Sequence, residues 1–213
     1  MSTRPVTLNV RGSATTQVPP DFARLALRVS AEDPDRDLAV ARVEQVLTTL
    51  RSAMADISGL RSTVISRMHT EQRYHWDDDS QTHQPGGWTS AVEGRADAEC
   101  DHASKVVAAA VGAGAAVVGV SWLLDTHNPV FRQVRKDAVA AARRAAEDFA
   151  EALDRPLGPI VALADPGLLN AAGATSPPRG FALMRTAAPG EPAIELDPEP
   201  QEVSAEVEAT YEL

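Results

Sequence analysis

An α+β fold is what this sequence predicts, on two observations. Short segments whose apolar residues alternate with polar ones are interleaved with segments whose apolar residues recur at helical spacing, and turn residues separate them. From Asp21 to Asp125 their order is strand, helix, strand, strand, helix, strand. That is the split βαβ order of a ferredoxin-like sandwich, an antiparallel sheet with helices on one face. One strand before it, and a long helix and two strands after it, extend the arrangement. The chain of 213 residues suits a single domain, 1–213, with residues 21–125 as its core and 126–213 supplying the long helix, a strand, a loop over 166–193 and the terminal strand.

Each element has its own signal. Val6, Leu8 and Val10 alternate with polar residues and predict a short first strand. After the turn-prone RGSATTQVPP a second strand starts at Asp21, with Ala23, Leu25, Leu27 and Val29 on its buried face and Arg24, Arg28 and Ser30 toward water. Asp33 is the expected cap of a helix whose first turn holds Pro34, Asp35 and Asp37, where proline and negative charge are favourable. Leu38, Val43, Val46, Leu47, Leu50 and Met54 give that helix its apolar stripe, and Gly59 follows it. Residues 62–76 and 87–100 read as long strands of a hairpin. Its expected tip is HTEQRYHWDDDSQTHQPGG, residues 69–87, with Asp77–Asp79, Ser80 and Pro85-Gly86-Gly87 as turn residues. Asp101 is then expected to cap a short helix that closes at Gly112-Ala113-Gly114, and AVVGVSWLL is a strand. Asn128-Pro129 opens a helix over 129–154 whose stripe is Phe131, Val134, Ala138, Ala142, Ala145, Phe149 and Leu153. PIVALAD is another strand. Val203, Ala205, Val207, Ala209 and Tyr211 make the last one, which is expected at a sheet edge.

Four segments in order carry a resemblance. They are VRGSATTQVPPDFARLALRV, GVSWLL, AVAAARRAAEDFAEALDRPLGPIVAL and PEPQEVSAEVEATYEL. Together they resemble the SIMPL-domain family, which includes bacterial periplasmic immunogenic proteins and is largely without assigned chemistry. Pro20-Asp21 ahead of an alternating strand is the most diagnostic short piece. Where the family has a second glycine soon after the first, Gly12 is followed by Ser13 and Ala14. The resemblance brings no catalytic residues. It implies large ring-like or channel-like oligomers for some relatives and a link to oxidative stress for others.

Composition narrows the partners. A net charge of −10, with eight acids and no base from Glu191 to Leu213, opposes binding to nucleic acid phosphates and to anionic membranes. No segment approaches the roughly 18 apolar residues of a membrane span, and the amino-terminal stretch lacks the apolar run of a secretory signal. Cys100 is the only cysteine, so an internal disulfide is excluded and a cytoplasmic protein is the expectation. The 18 arginines against two lysines, with abundant alanine, suggest a GC-rich bacterial source.

The chemical candidates each meet a plainer explanation. His69, His75 and His83 stand beside Asp77–Asp79, a metal-like set. On one strand His69 and His75 share a face but lie ~20 Å apart at roughly 3.3 Å per residue, too far for one ion. A solvated tip is therefore favoured over a metal site, with Tyr74, Trp76 and Trp88 as anchors if the tip binds a partner. Gly112-Ala113-Gly114 closes a helix instead of opening one, so it is a cap and not a phosphate cradle. Ser90 and Ser121 lack a nucleophile's context, and Asp101 beside Cys100 discourages the thiolate. His102 and His127 are expected at the surface or as caps. Glu93, Asp97 and Glu99 alternate along one strand and are expected to form an exposed acidic face. No catalytic, cofactor-binding or metal residue and no cofactor is assigned. The expectation is a non-enzymatic, self-associating protein, a homo-oligomer of structural or stress-associated role. A small-ligand or metal-binding module built on the 69–88 hairpin is the alternative.

Overall fold

The computed structural model describes residues 6–78, 81–166 and 196–213. The predicted loop over 166–193 lies outside the described residues except for its first position. Contacts divide the described chain into two units, one of residues 20–124 and 196–199 and one of residues 6–19, 125–166 and 200–213.

The first unit contains β2 (Phe22–Asp33), α1 (Arg36–Ala55), β3 (Leu60–Asp77), β4 (Thr82–Ala98), α2 (Ala103–Gly112) and β5 (Ala116–Leu123). Its four strands run in the order β3-β4-β2-β5, and every neighbouring pair is antiparallel. β4 is inserted between β2 and β3, the strands that α1 connects, so the split βαβ arrangement is present. Alternation decides which side the helices cover. Ala23, Leu25, Leu27 and Val29 of β2, with Val92, Ala96 and Ala98 of β4, are buried against Val43, Leu50 and Met54 of α1 and Val106, Val107 and Ala110 of α2.

The start of α1 departs from expectation. Asp35, not Asp33, is the cap: its carboxylate accepts the backbone N–H of Asp37 at 2.8 Å and of Leu38 at 3.2 Å. Asp33 is buried at the end of β2, where it accepts the Asp35 N–H at 2.9 Å and pairs with Arg42 at 2.6 Å. Two aspartates two residues apart offer the same capping chemistry, and the strand claims the first. Asp101 likewise does not cap α2. It sits inside a single 3-10 turn, Cys100–His102, that precedes the helix.

The second unit holds β1 (Thr7–Val18), α3 (Val130–Ala152), β6 (Ile160–Ala164) and β7 (Gln201–Glu212). These strands do not add to the first sheet; they form one of their own, in the order β1-β7-β6. β1 and β7, from opposite ends of the chain, pair antiparallel from Thr7↔Glu212 to Val18↔Gln201. β7 is thus the central strand of this sheet, not the edge that its acidic residues suggested. Its other side takes β6, and Val203, Val207, Ala209 and Tyr211 are buried.

α3 packs on this sheet through Val134, Ala138, Ala142, Ala146 and Ala150, a strict four-residue repeat. The predicted stripe is right as far as Ala142 and then swings to the wrong side, since Phe149 and Leu153 are 55% and 56% exposed. Gly12 supplies the reason. A Cβ there would lie 2.2 Å from the Ala138 carbonyl oxygen and 2.7 Å from the Ala142 Cβ. Strand and helix approach so closely that alanine fits along the contact and a phenylalanine does not.

Candidate functional site

The long hairpin is the most distinctive feature of the first unit. β3 runs to Asp77 and β4 begins at Thr82, with the ladder continuing through Tyr74↔Pro85, His75↔Gln84 and Trp76↔His83. Most of the predicted tip, residues 69–87, is therefore strand, and Pro85-Gly86-Gly87 lies within β4 rather than in a turn. The reason is a bulge between Gln72 and Tyr74, which absorbs a residue that a regular ladder would have expelled into a loop.

β2 ends at Asp33, opposite Trp88. Past that point, 82–87 of β4 pairs only with β3 among the described residues, making a two-stranded ribbon. Its base is braced. Gly87 has φ +100°, and a Cβ there would lie 2.9 Å from the Asp33 carbonyl oxygen. Arg73 pairs with Glu32, and the Arg36 guanidinium lies 5.9 Å from the centre of the Trp88 ring. Toward the tip, Trp76 meets His83 edge-on with ring centres 5.2 Å apart, and the Tyr74 hydroxyl donates to Gln72 at 2.9 Å. Five large apolar side chains of β3, Val64, Ile65, Met68, Tyr74 and Trp76, are between 39% and 59% exposed. The partner anchors proposed for Tyr74 and Trp76 are accessible, whereas Trp88 is half-buried under Arg36.

The histidines do not converge. His69 and His75 stand opposite Ala91 and Gln84, six residues apart along β3 and too far from one another to share an ion. Among the described residues no group of three His, Cys, Asp or Glu side chains is placed to hold a metal ion; Asp79 lies outside them. His102 ends the 3-10 turn, its Nε2 3.3 Å from the Ser58 hydroxyl, and makes no capping bond to α2. His127 is exposed beside Asp125 and Thr126. Ser90 is fully buried, 3.1 Å from the Thr70 hydroxyl. Burial, and then the charge of Asp101, raises the Cys100 thiol above its ordinary pKa, and its sulfur lies 3.4 Å from the Pro20 carbonyl oxygen. Gly114, at φ +89°, closes α2 as the glycine pattern predicts.

The predicted acidic face is where register changes the picture most. Asp97 is not exposed. It sits opposite Arg24, which donates to it through Nε at 2.7 Å and Nη2 at 2.8 Å, a two-pronged ion pair on the face of the sheet opposite α1 and α2. The Arg24 hydrogen bonds hold the Asp97 carboxyl below its usual range, against the opposing effect of burial. Glu99 lies beyond β4 altogether. The Arg24–Asp97 pair was not visible before the strands were paired, since sequence alternation gives a residue's face but not its neighbour.

Two antiparallel sheets, three helices and a braced two-stranded ribbon define an α+β protein with five exposed large apolar side chains along one hairpin strand. The chain belongs to the SIMPL family, described as a protein of unknown function (DUF541), which matches residues 8–211. A comparison with curated proteins gives no match. Among the described residues no helix is long and apolar enough to cross a membrane.

Proposed function

We propose that this SIMPL-family protein is a non-enzymatic, self-associating structural protein of the cytoplasm, whose copies meet along the outer edge of β3 and its ribbon. One observation carries this: β3 is an 18-residue strand at the end of its sheet, bonded to β4 on one side and to no described strand on the other, with Val64, Ile65, Met68, Tyr74 and Trp76 exposed along it. An edge of unpaired backbone groups is a template for another strand, and proteins that stay monomeric usually keep such edges short or charged. A projecting ribbon of two strands is marginal by itself and gains stability when something covers it. The assembly and stress association implied by the family resemblance agree with this reading.

Solution mass, measured by size-exclusion chromatography with light scattering on tag-free protein, tests it. The expected result is a defined mass several times the 22.6 kDa chain. A Met68→Lys, Trp76→Ser double variant should fall to single-chain mass while melting as the parent does, because both side chains are about half exposed. A single-chain mass for the parent across concentrations overturns the proposal. Metal content of the same sample decides against or for the rival role of the hairpin as a metal-binding module.

A further inference from the structure

We infer that the cavity between α1 and β3 binds a small amphiphilic carboxylate, a single apolar ring or short chain carrying one negative charge. The cavity lies within the 20–124 unit, and its rim residues Val64 and Ile65 also belong to the β3 edge proposed for self-association. Ile65 pairs with Gly94, and Gly94 with Leu27, so these three positions share the sheet face that carries α1. α1 covers that face over β2 and β4, burying Leu50 and Met54, but Ile65 and Met68 on β3 stay exposed beside it. The uncovered step holds a cavity of about 210 Å³ lined by Leu27, Leu50, Met54, Ile65, Val92 and Gly94, among others. Gly94 keeps its floor deep, since position 94 contributes no side chain.

Size and charge select the occupant. A dry apolar cavity of roughly 150 Å³ accepts a benzene molecule, so this one takes a ring with a short substituent. Its lining includes no carboxylate, and its charged members are Arg51 and Arg95. Arg95 stands in register with Ala26 and Val64, on the opposite face with Asp97, so Arg51 supplies the charge. Arg51 follows Leu50 on α1, is exposed, and has no ion pair or hydrogen bond from its side chain among the described residues. An apolar body buried against Leu50, Met54 and Ile65 would leave its carboxylate at the mouth, within the field of that guanidinium.

The test uses the full tag-free chain, with 3-phenylpropanoate and its uncharged amide as probes. Calorimetry gives affinity, and methyl resonances of Leu50, Met54 and Ile65 give location. The expected result is saturable one-site binding of the acid that shifts those methyls, with the amide roughly fivefold weaker, the size of a partly exposed charge pair. Arg51→Gln, at an exposed helix position, should abolish the preference for the acid and leave amide binding unchanged. Leu47→Trp, which fills the half-buried rim, should remove both. Gly94→Ala is the poorer choice, because its Cβ would lie 2.7 Å from the Val64 carbonyl oxygen and strain the sheet. Absence of saturable binding, shifts confined to other methyls, or equal affinity for acid and amide would each overturn the inference. So would an affinity that falls as solution mass rises with concentration, which would mark the cavity as the seat of a second copy.

Discussion

Gly12 shows how one missing side chain sets a helix against a sheet. Its Cβ would lie 2.2 Å from a backbone oxygen of α3, and backbone cannot move aside as a flexible side chain can. Gly12→Ala should therefore destabilise by about 1–3 kcal/mol, the usual cost of overpacking, read as a lower urea midpoint with unchanged slope. An unchanged midpoint would mean that α3 sits farther from β1 than described. Asp97 makes a second prediction at this scale, with a sign fixed by its pKa. The folded value is depressed, so the Arg24 pair contributes fully above the unfolded carboxylate range, near about 3.9. That contribution disappears as pH falls through the lower folded value. Asp97→Asn should cost about 1–2 kcal/mol at pH 7, modest because the Arg24 side chain is 37% exposed and screened, and the cost should shrink as pH falls through the depressed folded value. A penalty that grew on acidification would contradict the assignment.

Helix α3 and the hairpin illustrate how far periodicity reaches at the scale of an element. The helix was legible in AVAAARRAAEDFAEAL, but its buried row was legible only over Val134, Ala138 and Ala142. Past that point two stripes compete, one through Phe149 and Leu153 and one through Ala146 and Ala150, and hydrophobicity favours the wrong one. Close packing decides for the small residues. Phe149→Ser should thus shift the melting temperature little, within about 0.5 kcal/mol, whereas Ala146→Leu should cost about 1–3 kcal/mol. The reverse ranking in thermal melts would restore the hydrophobic stripe. In the hairpin, strand residues 62–76 and 87–100 were readable. The bulge that carries the ladder on through Pro85 was not, because it depends on one partner strand having a residue more than the other.

At the scale of the whole molecule, one of the two units depends on the pairing of β1 with β7. β7 lies between β1 and β6, so its loss would leave two strands without a shared partner and uncover Ala138, Ala142 and Ala146. Truncation after residue 200 should abolish amide-exchange protection in β1 and α3 while protection persists in β2 and β4, whose core lies within 20–124. Uniform loss of protection would show that the two units fold only as one. The negative charge of the chain acts at this scale too, because self-repulsion opposes association until salt screens it over ~10 Å.

The family resemblance, the α+β class and the βαββαβ order between Asp21 and Asp125 were determined by the sequence alone, because alternation, helical spacing and turn residues are local properties. Tertiary structure alone decided that β1, β7 and β6 form a second sheet, that Asp97 lies beneath Arg24, that α3 buries alanines, and that the step between α1 and β3 stays open. Each of those depends on which residues far apart in the chain become neighbours. That is a matter of register and close packing, and neither is encoded within one element.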